Sequence, residues 1–111
     1  MRGISDEACD KAIEYLCDYG DLAAAAYGNR ALAEFYRRAK RCELILRAPQ
    51  KTQGLREAYA ESHPEYLKTC EDEAAAEKEL AWHRHQLSRA KAITDLWRSV
   101  NARERELGRI R

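Results

Sequence analysis

Apolar positions recur at three- and four-residue spacing through most of this chain, the period of one face of an α-helix. Ala8, Cys9, Ala12, Ile13, Leu16 and Cys17 form the first such face. Ser5 precedes it as a natural N-cap, and Asp6 and Glu7 fall in the first turn, where the helix dipole favours negative charge. Gly20 interrupts the pattern, which predicts a first helix over about residues 6–19.

A second stripe follows, made by Leu22, Ala25, Asn29, Leu32, Tyr36, Ala39, Glu43 and Leu46. It is heptad-like, is broken by Asn29 and Glu43, and is widened by Phe35, Cys42 and Ile45. Asp21 is placed to cap this helix. Gly28 costs about 1 kcal/mol in a helix interior, so the first two helices are expected either to run on or to kink there. Ala48-Pro49 ends the element, because the residue before proline disfavours α geometry. The prediction is a helix over 21–48.

Residues 49–64 read as the connection. Gln50 to Gly54 is polar and turn-like, and Leu55 to Glu61 has room for two helical turns. Ser62 then reads as an N-cap, Pro64 falls in the first turn, and Glu65 completes a capping box. Nothing breaks the helix from there to about residue 107. That span is about 43 residues, or about 65 Å at 1.5 Å per residue. A compact domain of this size has a radius of gyration near 13 Å, roughly a fifth of that length. The late stripe, Ala90, Ile93, Trp97, Val100 and Leu107, is richer than the early one, Tyr66, Cys70, Ala74, Leu80 and Leu87. The pattern therefore predicts a single all-α domain, residues 1–111. The expected form is an elongated, coiled-coil-like helical hairpin with one short N-terminal helix and two long ones. Two such helices bury little apolar surface alone, which predicts a homo-oligomer with Leu32, Tyr36, Ile93, Trp97 and Val100 at its interface.

Composition agrees with this picture. The chain is 45% apolar, but much of that is alanine, while Phe, Ile and Val, which fill sheets, are scarce. Ala, Leu, Glu, Lys and Arg dominate, as in long helices. The net charge of +1 hides a strong alternation. Residues 1–29 hold 2 basic and 6 acidic groups, 30–56 hold 8 and 2, 57–81 hold 2 and 8, and 82–111 hold 8 and 3. One reading is self-complementarity, with basic helix segments lying beside acidic ones. The other is a phosphate-binding surface.

Catalytic, cofactor and metal sites are not expected. His83 and His85 are two residues apart, so on a helix they point about 200° apart and do not share a metal. No nucleophile elbow, phosphate-binding glycine loop or HExxH is present, and Glu71-Asp72-Glu73 reads as a solvated face. Cys9, Cys17, Cys42 and Cys70 form no CxxC pair. With no secretory signal or transmembrane run, reduced cysteines in the cytoplasm of a bacterial host cell are the expectation. The basic stretches lack a strong apolar face beside them, which argues against membrane binding.

The candidate chemistry is binding. Arg37, Arg38, Lys40 and Arg41 cluster in the second helix, with Arg30 two turns before Arg37. Arg84, Arg89, Lys91, Arg98, Arg103, Arg105, Arg109 and Arg111 dominate the end of the chain. Arginine forks bind phosphates bidentately, and an exposed aromatic such as Trp82 offers bases a stacking surface. The residues expected to contact nucleic acid are Arg37, Arg38, Arg41, Arg84, Arg98, Arg103 and Arg105. The tyrosines are expected mainly to pack.

The segment from about Tyr59 to Arg105 resembles a class of short phage and prophage helical proteins. It has an alanine-rich lead to Pro64-Glu65-Tyr66, a long charged helix, and the closing run from Ile93 through Trp97 and Arg98 to Ala102. That class is similar in layout to the UvsY family of recombination mediators. The resemblance implies single-stranded DNA binding, oligomerisation and help in loading a recombinase, with no residue-by-residue transfer of DNA contacts. The alternative expectation is a protein-only binder, such as a phage inhibitor of a host defence complex or a helical assembly adaptor.

Overall fold

The computed structural model describes residues 5–110, and the chain there is all-α, with no strand among the described residues. Four helices follow in order: α1 Asp6–Asp18, α2 Gly20–Arg47, α3 Gln53–Ser62 and α4 Pro64–Ile110. Arg111 and the side chain of Arg109 lie outside the described residues.

Each helix boundary has a local cause. Ser5 caps α1 as expected, its side-chain oxygen accepting from the Ala8 N–H at 3.1 Å. The break between α1 and α2 falls at Tyr19, which is α-region at φ −108° and ψ −1°. Tyr19 donates its N–H to the Tyr15 carbonyl and accepts from Leu22 and Ala23, so the chain turns there without a capping side chain. Helix α2 thus begins at Gly20, and Asp21 sits in its first turn rather than at its cap. Gly28 lies in unbroken helix. Pro49 stops α2, with Ala48 making a last tight bond to Ile45.

The connection holds a helix of ten residues, longer than the two turns the sequence suggested. Thr52 caps α3 by accepting from Leu55. The expected capping box at Ser62 is not formed. Ser62 is the last residue of α3, and its hydroxyl donates back to the Ala58 carbonyl at 2.8 Å. His63 takes over instead. It is extended at φ −71° and ψ 136°, as the residue before a proline should be. Its Nδ1 accepts from the Glu65 N–H at 3.1 Å, and its carbonyl takes the first bond of α4 from Leu67. Pro64 fills the first helical position, where a missing N–H costs nothing.

The chain divides into two compact units, one of Met1–Ala24 with Trp82–Arg111 and one of Ala25–Ala81. The first buries Cys9, Ala12, Ala23, His83, Ala90 and Thr94. The Thr94 hydroxyl is satisfied by donating to the Ala90 carbonyl at 2.9 Å. The second buries Ala26, Leu44, Ala48, Ala60 and Leu80, with Leu44 at 0% exposure. Alanine dominates both interiors, so helices pack closely but little apolar area leaves water. Within residues 25–81 charge pairing supplements the packing.

Candidate functional site

The α2 arginines are the first candidates, and the structure spends them on the chain itself. Arg37 pairs with Glu73 of α4, and both side chains are largely shielded. The carboxylate of Glu73, and after it the Tyr66 hydroxyl, hold the Arg37 guanidinium above its ordinary pKa. Arg41 donates from Nε and Nη2 to Glu61 of α3 at 3.1 and 3.0 Å. Hydrogen bonding to Glu61 raises its pKa too. Arg30 reaches Glu77 and Glu34, and Arg47 and Lys40 both reach Glu65. Arg38 is the most exposed of the group and pairs within its own helix, with Glu34 at 2.8 Å. The basic block 30–56 and the acidic block 57–81 are therefore complementary partners within one unit. Of the two readings of the charge alternation, self-complementarity describes this half of the chain.

The arginines of α4 after residue 81 are arranged differently. Arg84, Lys91, Arg98 and Arg105 are all exposed and stand seven residues apart. Seven residues is close to two helical turns, so the four form one line with a drift of about 20° per step. Arg105 steadies itself by donating Nε to the Asn101 carbonyl at 3.4 Å. Arg98 of this line acts on the Cys9 thiol of α1, against the opposite pull of Asp10 and Asp6 on the same thiol. A second line, also at steps of seven, carries Trp82, Arg89, Leu96 and Arg103, all exposed. It lies on nearly the opposite side of the helix, since two residues of offset turn about 200°. Arg89 borders a groove of about 240 Å³ against Lys11 and Tyr15 of α1. This line places an indole and a leucine between guanidinium groups.

The expected interface residues separate into two sets. Leu32 and Tyr36 are exposed on α2. Ile93 and Trp97 are half-buried, because α1 covers their face of α4. Ile93 lines the groove opposite Ala8, Ala12 and Tyr15, and Trp97 donates Nε1–H to Asp6 at 2.8 Å. Val100 is half-buried as well. The company expected for this stripe from another chain is supplied in part by the short first helix. The two most exposed large apolar side chains among the described residues lie on α2, Phe35 at 63% and Leu46 at 78%. Phe35, Leu46, Arg89 and Lys91 were missing from the expected site residues. Their shared signal is strict seven-residue spacing with other exposed positions.

His83 is buried while His85 is exposed, so the two rings do point apart. No helix of the described residues is long and apolar enough to cross a membrane. No family model, curated protein or solved structure matches this chain.

Proposed function

We propose that this chain is a non-catalytic accessory protein that binds single-stranded DNA along the Trp82, Arg89, Leu96 and Arg103 line of α4. The observation that carries the reading is that line itself. Cationic forks and flat or apolar side chains alternate on one exposed helix face, at steps of about 10.5 Å. Guanidinium groups take phosphates, and an indole gives unpaired bases a stacking platform that any sequence can use. A duplex hides its base faces and has no use for the indole. The opposite line of Arg84, Lys91, Arg98 and Arg105 raises the local potential but carries no aromatic. The α2 arginines take no part, being matched by acids. The resemblance of the segment from about Tyr59 to Arg105 to short phage helical proteins, a class similar in layout to the UvsY recombination mediators, is in keeping with the same role, in which a held, extended strand assists recombinase loading by mass action.

The test is titration of an oligothymidine at low salt, read by Trp82 fluorescence in a Trp97→Phe background. Quenching is expected, with log affinity falling linearly in log salt. Each arginine removed from the line shrinks that slope by about 0.7. An unquenched Trp82 at saturating oligothymidine and low salt defeats the proposal.

A second reading, a protein-binding or assembly module, is favoured by the exposed apolar face of α2.

A further inference from the structure

Ala25, Gly28, Leu32, Phe35, Ala39, Cys42 and Leu46 of α2 follow one another at alternating three- and four-residue steps, and every one of them is exposed. This is an unbroken a/d seam of three heptads. It differs from the stripe through Asn29, Tyr36 and Glu43, which lie one position to its side. The seam occupies the face opposite the one α2 buries, where Ala26, Ala33, Arg37 and Leu44 meet the rest of the unit. All seven residues belong to the single unit Ala25–Ala81. A Cβ added at Gly28 would meet no atom of the described residues within 4 Å.

We infer that this seam takes a second copy of the same chain, aligned parallel and in register. The charges beside it select that occupant. With Ala25, Leu32, Ala39 and Leu46 at the a positions, Arg38 stands at g and Glu43 at e. In a parallel pair a g residue faces the e residue five positions on in the other chain. Arg38 of each copy therefore meets Glu43 of the other, twice over by the twofold symmetry. An antiparallel copy brings g against g and e against e. Arg38 would then face Ala31, and Glu43 would face Asn29, leaving both charges without an opposite. Arg38 and Glu43 now hold partners only within α2, the half-buried Glu34 for one and the half-buried Lys40 with the exposed Arg47 for the other. Re-pairing them across the seam breaks no buried contact. The small residues at 25, 28, 39 and 42 let the two backbones approach. Leu32, Phe35 and Leu46 provide the apolar layers. The in-register arrangement also sets each Cys42 in a layer with its counterpart. This inference uses a different helix and a different face from the DNA-binding line and stands apart from that reading.

The full chain, free of nucleic acid, is examined by sedimentation equilibrium from 1 to 200 µM. A dimer is expected, and Leu32→Lys with Phe35→Lys is expected to give a monomer of unchanged helicity, both side chains being exposed. Monomer throughout for the unmodified chain overturns the inference, as does a dimer that survives the double substitution. Orientation is read in two ways. In a Cys17→Ser, Cys70→Ser background, diamide should link Cys42 to Cys42, the two thiols passing two electrons and two protons to the diamide. Arg38→Glu and Glu43→Arg should each weaken the dimer about threefold or more, and the double exchange should restore it. A dimer that resists crosslinking, with no recovery in the double exchange, overturns the parallel register. Dimer loss with DNA binding retained, or the reverse, distinguishes failure here from failure of the DNA reading.

Discussion

Trp97 of α4 donates its indole N–H to the carboxylate of Asp6 in the first turn of α1, at 2.8 Å across 91 positions of chain. The bond fastens α1 over the richest apolar stripe of α4, beside the groove that Ile93 lines with the same helix. Asp6 is exposed, so water competes for it, and the net value of such a bond is about 1 kcal/mol. Asp6→Ala should lower stability by about that amount in urea melts with an unchanged slope. Asp6→Asn, which keeps an acceptor, should cost less than 0.5 kcal/mol. Equal losses in the two variants would show that the bond contributes nothing.

Arg37 and Arg103 should respond in opposite ways. Arg37→Ala removes the partner of the shielded Glu73 carboxylate. Leaving that group unmatched should destabilise the chain by roughly 1–2 kcal/mol. Arg38→Ala removes an exposed guanidinium whose partner Glu34 keeps Arg30, and should stay within about 0.5 kcal/mol. Neither change should alter oligonucleotide affinity. Arg103→Glu should leave the melting curve almost unmoved and weaken binding at low salt. A fall in affinity with Arg37→Ala at full helicity would return the DNA site to α2.

His63 carries the start of α4. His63→Ala removes the acceptor for the Glu65 N–H and should cost about 1 kcal/mol, as lost N-caps do. His63→Asn supplies a favoured cap at the same place and should match or exceed the parent. The ring also meets Tyr59 edge-on at 5.6 Å. Thermal melts of the two variants separate these contributions, since neither replacement restores the ring contact. If Ala and Asn fall equally, packing on Tyr59 outweighs capping.

Three of the four helices, α1, α2 and α4, and most of their ends could be read from caps, prolines and spacing, while α3 lay inside what read as a connection with room for two turns. The burying face of α2 could not. The sequence pattern points to the side bearing Leu32, Tyr36 and Leu46, because large apolar residues normally turn inward. The structure buries the other side, through Ala26, Ala33, Leu44 and the stem of Arg37. Small side chains and matched charges make that choice, and a hydrophobicity count gives them little weight. The Arg37 and Arg41 pairs had the same cause of concealment. Their partners, Glu73 and Glu61, lie on other helices, and only the block alternation of charge hinted at them. The role of His63 was hidden because Ser62 offered a better-known cap one residue earlier. On α4 the exposed arginines were recognised one by one. Their division into two opposed lines follows from spacing alone, once the helix is known to run unbroken.

Cys9 offers a check on α1 that depends on pH. It is 1% exposed. Burial first, then Asp10, raises its thiol pKa against the opposing pull of Arg98. At a pH between the unfolded and folded values the unfolded chain has released this proton and the folded chain still holds it. The folded state then binds more protons, so stability falls as pH rises through the unfolded pKa, and the loss stops growing above the folded one. For an ordinary thiol that decline begins near pH 8.5. Cys9→Ala should flatten this part of the profile relative to the parent chain, while the contributions of tyrosines and lysines cancel in the comparison. The thiol should also resist a thiol-reactive dye at neutral pH for as long as α1 stays docked, whereas the exposed Cys17 should react at once. Asp6→Ala, by loosening the Trp97 contact, should speed the labelling of Cys9 and leave that of Cys17 unchanged. Parallel pH profiles for Cys9→Ala and the parent, together with equal labelling rates at the two cysteines, would show that α1 does not hold its place on α4.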